Sequence, residues 1–370
     1  MKVSTADNLS AVSAQAWNAI AGIDNLFLQH GFLHALEQHD CLSPWGWQPV
    51  YFLVHDSDEL VGACACYIKT NSYGEFVFDW AWADAYQRNN ISYYPKLVTS
   101  IPFTPATGPR LLAKNNEPII KQLLIEQIIT FTREQQLSSA HWLFCENDDI
   151  HFLKEASCLT RFDYQYHWQN DEYENFDHFL SALNAKRRKN IKRERRIVAE
   201  NNIELSTVNG IDLTEQQWKI LYDFYKITFL KKSGTATFTL DFFQSVASQL
   251  HAVFAQDGSK IVAGAICYKN DTHLYGRHWG CYAHYDNLHF ELCYYQGIDY
   301  CIENKLQTFE PGAQGEHKIW RGFLPTRTES AHYITHDGFR GAIEQFLEQE
   351  HKAMNEYGKQ LSESTPYRCK

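Results

Sequence analysis

The chain has 370 residues, 44% hydrophobic and 15% aromatic, enough apolar content for the cores of two domains or one large one. Its formal net charge of -10 excludes a general nucleic-acid binder, so any polyanion contact must come from a local basic patch. Ten cysteines, with no CxxC and most of them set in apolar runs such as VGACACY, point to buried, reduced thiols rather than a disulfide framework or zinc ribbon.

The opening MKVSTADNLSAVSAQAWNAIAG has one Lys and no continuous apolar run, which predicts no signal peptide. No apolar stretch approaches 18 residues, so no membrane span and a cytoplasmic location are expected. Alternation and β-branched or aromatic content predict strands at 48–56, 60–69 and 75–80, the last being EFVFDW. Ile and Leu at helical spacing behind Pro118 predict a helix over about 117–136. SAHWLFCE (139–146) and FDYQYHW (162–168) read as further strands, and 176–201 as one long helix. The strand 203–208 and helices at about 214–231 and 239–250 come next. Strands at 251–256, 260–269 and 272–280, a helix over 288–305 and a short strand TFE (308–310) lead into the loop FEPGAQGEHKIWRGFLPTRTESAHY. A final amphipathic helix covers roughly 338–357.

The two halves share a plan. VYFLVHDSDELVGACACY and HAVFAQDGSKIVAGAICY each give a strand, an acidic turn and an apolar-Gly-Ala run, with Gly62 and Gly264 in equivalent places. DWAWADAY followed by Tyr93-Tyr94 then echoes HWGCYAHY followed by Tyr294-Tyr295. Agreement of order and spacing argues for two copies of one α+β unit.

The segments SYGEFVFDWAWADAYQRN, YYPKLVTSIPFTPATGPRLL, HFELCYYQGIDYCIE and the 309–333 loop resemble the bacterial FemAB-like family, labelled "peptidoglycan biosynthesis/recognition" and grouped with the GNAT N-acyltransferases. The resemblance runs from about 20 to 350. It implies an α+β fold of tandem, duplicated GNAT-like domains, each a mixed central sheet flanked by helices. The expected division is 1–170 and 171–370, with a basic helix at 185–197 in the second. The resemblance also implies acyl or aminoacyl transfer to an amine. The acceptor would be a small molecule or a nucleotide-linked cell-wall precursor, and acyl-CoA or aminoacyl-tRNA the co-substrate, with no tightly bound cofactor. The pyrophosphate signature of most GNAT enzymes, Gln/Arg-x-x-Gly-x-Gly/Ala, is missing before Leu288, where Asp286 would repel a pyrophosphate. That departure fits Fem-type transfer from tRNA better than transfer from CoA.

Candidate residues follow from the chemistry. In the 309–333 loop, Glu316 and His317 are candidate general bases, Glu310 sits at a strand end, and Gln314, Lys318 and Arg321 are candidates to hold a carboxylate or phosphate. Tyr294 is the candidate proton donor to the leaving group. Asp79, Trp80, Asp84 and Lys96 in the first half, and Arg277, Trp279, His289 and Glu291 in the second, are candidate substrate contacts. For each residue alone, packing or loop bracing is the rival explanation. The run KRRKNIKRERR puts Lys186, Arg187, Arg188, Lys189, Lys192, Arg193, Arg195 and Arg196 in eleven residues. It reads either as a phosphate contact, to tRNA, a nucleotide-linked precursor or CoA, or as a solvated helix paired with acids such as Glu172 and Glu174. No HExxH or Cys/His ligand spacing occurs, so no metal site is expected. A non-catalytic recognition module for a phosphorylated ligand, and an RNA-binding protein using the basic helix, are the rival functions.

Overall fold

A computed structural model describes residues 1–231, 233–313 and 315–368. Its strands are β1 (Lys2–Ala6), β2 (Trp47–Asp56), β3 (Glu59–Lys69), β4 (Lys96–Thr99), β5 (Leu112–Ala113), β6 (Ser139–Cys145), β7 (Leu159–Gln169), β8 (Ile203–Asn209), β9 (Leu250–Asp257), β10 (Lys260–Lys269), β11 (His273–Cys281), β12 (Thr308–Glu310) and β13 (Leu324–Ile334). Helices relevant to the sites are α1 (Trp80–Arg88), α2 (Pro118–Glu134), α3 (Phe176–Ala182), α4 (Ala185–Glu200), α5 (Glu215–Leu230), α6 (Gln296–Glu303) and α7 (Asp337–Glu363). Among the described residues no helix is long and apolar enough to cross a membrane.

The chain forms two compact units, Met1–Asp163 with Arg327–Tyr357, and Tyr164–Thr326 with Gly358–Lys370. A single cut at 170 does not describe them, because most of β13 and most of α7 pack with the first unit. In unit 1 the strands run β1-β2-β3-β4-β6, with β5 beside β3 and β13 against β6. The β4–β6 pair is parallel and the other pairs are antiparallel. In unit 2 the order is β7-β12-β11-β10-β9-β8, parallel only at β11–β12. Each unit is thus a mixed sheet flanked by helices, the expected α+β class.

The shared plan holds at the hairpins. Gly62 pairs with Val54 across β3–β2, and Gly264 with Phe254 across β10–β9. A Cβ at Gly62 would lie 2.3 Å from Ile120 of α2, and one at Gly264 2.8 Å from Leu221 of α5. Each glycine lets a helix sit close on its sheet. Beyond the hairpins the plan breaks. EFVFDW is not a strand: 75–79 is irregular and Trp80 opens α1, whereas Trp279 lies within β11. Alternation fails there because Glu75 and Asp79 turn inward to a lysine, leaving Phe76 and Phe78 in solvent. Tyr93-Tyr94 sits in a loop before β4, but Tyr294-Tyr295 lies in a π turn.

Two more expectations are corrected. The helix over 176–201 is two helices, broken at Leu183, which is fully buried, and Asn184, whose side chain caps α4 by accepting from the Arg187 N–H. The segment 309–333 is not all loop, since 316–321 makes a 3-10 turn and β13 follows. Its inward face is polar: Thr328, Ser330 and His332 are buried, which hides the hydrophobic alternation of a strand.

Candidate functional site

Unit 2 holds a cavity of about 100 Å³ whose walls include Cys267, Arg277, Trp279, His289, Tyr294 and Pro311. Two local irregularities shape it. Ile266 pairs with His278 but Cys267 with Gly276, so Arg277 is the extra residue of a β-bulge. Bulges re-aim side chains and often lie beside active sites. Here the Arg277 guanidinium reaches Glu310, with Nη2 3.2 Å from Oε2 and Nη1 donating to the Glu310 carbonyl at 3.1 Å. Glu310 is therefore held in an ion pair with Arg277. Opposite in sequence, Glu291–Tyr295 forms a π turn, a device that re-phases a helix and recurs at functional sites.

The π turn buries Tyr294 and places its Oη 2.9 Å from His317 Nε2. Gly315, at φ 113°, permits this approach: a Cβ there would stand 2.5 Å from the imidazole Cε1. Burial, then the neighbouring Arg321 and Lys318, push the His317 pKa down, so the ring favours its neutral form. Burial raises that of Tyr294, keeping the phenol protonated. Lys318 is buried, donates to the Gly312 carbonyl at 2.6 Å, and is lowered to about 7 by burial and by Arg277. Glu316 is exposed at the start of the turn. Gln314 lies outside the described residues.

Arg321 is not free to hold a substrate. It forms a two-pronged pair with Glu194 of α4, donates to Tyr295 Oη at 3.1 Å and lies 3.5 Å over the Phe290 ring. Arg195 is likewise engaged, 3.1 Å from Glu291 and 2.8 Å from Asp299. Burial raises Asp299 to about 6 against the pull of Arg195. The basic helix therefore has two faces. Arg187, stacked 4.7 Å over Trp320, and Arg195 turn inward with Ile191 and Val198, while Lys186, Lys189, Lys192, Arg193 and Arg196 face water. Lys192 pairs with Asp177 and Arg196 with Glu200, not with Glu172 or Glu174. Among the described residues Lys186, Arg188, Lys189 and Arg193 make no ion pair.

Unit 1 gathers a second cluster. Lys96 is fully buried and donates to Ser72 at 2.9 Å, to Glu75 at 2.8 Å and to Asp79. Tyr93 Oη donates to Asp79 at 2.6 Å and lies 3.3 Å from His141 Nε2, and His141 Nδ1 is 2.7 Å from His332 Nδ1. Burial lifts Glu75 to about 7. Burial also acts to raise Asp79, but Lys96 and then His141 outweigh it and bring it to about 2. Trp80 is exposed, and Asp84 pairs at the surface with Arg88, so neither joins this cluster. Glu75, His141 and His332 carry no sequence signal, since residues from 72 to 332 meet only through the fold.

A family model described as FemAB-like, peptidoglycan biosynthesis/recognition, matches residues 8–369. No curated protein matches the chain. Among solved structures the chain is similar to FemX, at 10% identity and TM-score 0.53 over 93% of this chain and 100% of that one. It is also similar to a conserved protein of unknown function from Bacteroides thetaiotaomicron, at 10% and 0.53 over 90% and 99%. A third likeness is to the C-terminal domain of a putative lysylphosphatidylglycerol synthetase from Agrobacterium fabrum, at 8% and 0.52 over 91% and 95%. At such identities the likeness establishes the fold. The family match spans nearly the whole chain, and on it the protein belongs to the FemAB-like family.

Proposed function

We propose that the protein transfers an aminoacyl or acyl group to an amine at the unit 2 cavity. The observation that carries this reading is the 2.9 Å contact between Tyr294, which lines the cavity, and His317 behind it. The amine nitrogen attacks the ester carbonyl carbon. Its proton passes to Tyr294 Oη as the phenol proton moves to His317 Nε2. When the tetrahedral centre collapses and the bond to the leaving oxygen breaks, the same path runs backwards and protonates that oxygen. His317 suits this task because its surroundings keep it neutral and ready to accept. Arg277, fixed by Glu310, supplies positive charge at the cavity wall.

Aminoacyl-tRNA is the favoured donor. Asp286, beside His284 at 3.0 Å, sits just before the helix that would cradle a CoA pyrophosphate. The exposure of the cations Lys186, Lys189 and Arg193 supports a contact to a phosphate chain. The acceptor is a small or nucleotide-linked amine.

The test is a transfer assay with aminoacyl-tRNA and acyl-CoA donors over a panel of amines. Tyr294→Phe and His317→Ala are each expected to lower kcat by about 10²- to 10⁴-fold. Glu316→Gln, at an exposed carboxylate, is expected to stay near wild type. Full turnover in both Tyr294→Phe and His317→Ala overturns the assignment.

A further inference from the structure

The segment 72–80 of unit 1 has its polarity reversed. Ser72, Glu75 and Asp79 are buried at 8%, 3% and 4% exposure, while Tyr73, Phe76, Phe78 and Trp80 stand 42%, 40%, 50% and 60% exposed. Burying an aromatic side chain is worth about 1.5–3 kcal/mol, and desolvating a carboxylate is costly unless it is paired. A loop that shows its rings to water and hides its acids runs against both. Its backbone enforces the arrangement. Gly74 has φ 83° and Phe76 has φ 61°, a left-handed conformation that is an outlier for a bulky side chain. That turn sends Glu75 inward and Phe76 outward.

Donor accounting shows what the interior lacks. An ammonium has three N–H donors. Those of Lys96 go to Ser72 Oγ, Glu75 Oε2 and Asp79 Oδ2. Those of Lys69, the next cation, go to the Trp45 carbonyl, Asn71 Oδ1 and the Tyr73 carbonyl. Tyr93 also donates to Asp79 Oδ2. Glu75 Oε1 and Asp79 Oδ1 remain buried with no hydrogen-bond partner. A buried, unmatched acceptor costs about 1–3 kcal/mol, more when charged. Above about pH 7, where Glu75 is mostly ionised and Lys69 mostly neutral, two carboxylates face one ammonium and the cluster carries an excess of negative charge.

We infer that segment 72–80 is a binding site for a primary ammonium carried on an apolar chain, the nitrogen donating to Glu75 Oε1 and Asp79 Oδ1 and the chain lying on the outward rings. The ligand needs at least two N–H donors and a positive charge, which a primary ammonium supplies and a carboxylate, phosphate or neutral sugar does not. Tyr73, Phe76, Phe78 and Trp80 offer apolar faces that also attract cations. This site lies in unit 1, separate from the transfer chemistry assigned to unit 2, and does not depend on it. Burial lifts Glu75 to about 7, so occupancy is best sought above that pH.

The experiment is isothermal titration of the full chain at pH 8 with n-butylammonium, methylammonium and n-butyltrimethylammonium. Saturable binding of n-butylammonium is expected. The quaternary analogue, which has the charge and the chain but no N–H, is expected to bind at least tenfold more weakly. Glu75→Gln, with its fold checked by circular dichroism, is expected to weaken the primary amine by a similar factor. Phe78→Ala is expected to erase most of the advantage of butyl over methyl. If Glu75→Gln does not fold, the two butyl ligands on the wild-type protein decide alone. Equal binding of the quaternary and primary ions overturns the inference. So does unchanged binding in a folded Glu75→Gln, or no saturable binding at all, the result expected if water alone satisfies the two oxygens.

Discussion

Lys318 is where the chemistry of unit 2 and its stability meet. Its ammonium is removed from water beside the Arg277 guanidinium, and one carbonyl, that of Gly312, receives it. Its folded pKa of about 7 lies far below the 10.5 of an ordinary lysine. Between those values the unfolded chain binds more protons than the folded one. Stability from this group therefore rises with pH across that window, at up to about 1.4 kcal/mol per pH unit. Lys318→Met keeps much of the side-chain length and removes the titration. The variant is expected to be more stable than wild type at pH 7, with the gap closing by pH 10, as read from urea unfolding at each pH. A gap that does not change with pH means that Lys318 carries no such penalty. Lys69, also lowered to about 7 by burial, is present in both proteins and cancels in the comparison.

Helix α4 divides its charges by face. Arg187 and Arg195 share a side with Ile191 and Val198 and are held by Trp320, Glu291 and Asp299. Lys186, Lys189 and Arg193 recur at i, i+3 and i+7, one stripe of a helix, and face solvent with no acidic partner among the described residues. If this stripe meets phosphates, each contact contributes about 0.7–0.9 to the slope of log affinity against log salt. The triple change Lys186→Glu, Lys189→Glu, Arg193→Glu is expected to weaken tRNA binding and flatten that slope by about 2. Filter binding over a salt series reads both quantities. An unchanged slope removes α4 from the phosphate contact. The sequence showed this run as a concentration of charge, but not its two faces, because cations occupy every side. The same limit holds elsewhere. The β2–β3 and β9–β10 hairpins were legible because turn residues and apolar runs mark them locally. β13 was not, since its inward Thr328, Ser330 and His332 are satisfied by Asp163, Arg161 and His141, partners remote in sequence. At the site, Tyr294, His317 and Arg277 could be picked by type and segment. Glu75 could not, because only Lys96 and the fold turn it inward.

Across the whole molecule, buried neutral histidines set the response to acid. Burial lowers His141 and His278 to about 3 and His251 to about 4, and holds His332 well below the ordinary range, with neighbouring cations or His141 adding to the effect. In the unfolded chain each titrates near 6.5. As pH falls below about 6.5 the unfolded state takes up protons that the folded state refuses, so stability drops by up to about 1.4 kcal/mol per pH unit for each ring. Burial lowers His167 and His317 in the same sense, and four acids oppose the trend. Burial raises Glu75 to about 7 and Asp299 to about 6 and lifts Glu37 and Glu146 as well, so all four bind protons more readily when folded and favour the native state as pH falls toward 4.5. Asp79, lowered to about 2, stays ionised through this range and loses its contribution only below it. Six rings against four carboxyls leave a net loss of at most about 3 kcal/mol per pH unit between about 6 and 4.5. Total stabilities of domains run to about 5–15 kcal/mol. Unfolding near pH 4 to 5, without denaturant, is therefore expected by circular dichroism, with urea midpoints at pH 7, 6 and 5 falling in step. A protein whose urea midpoint holds or rises from pH 7 to 5 contains charged rather than neutral histidines in its core.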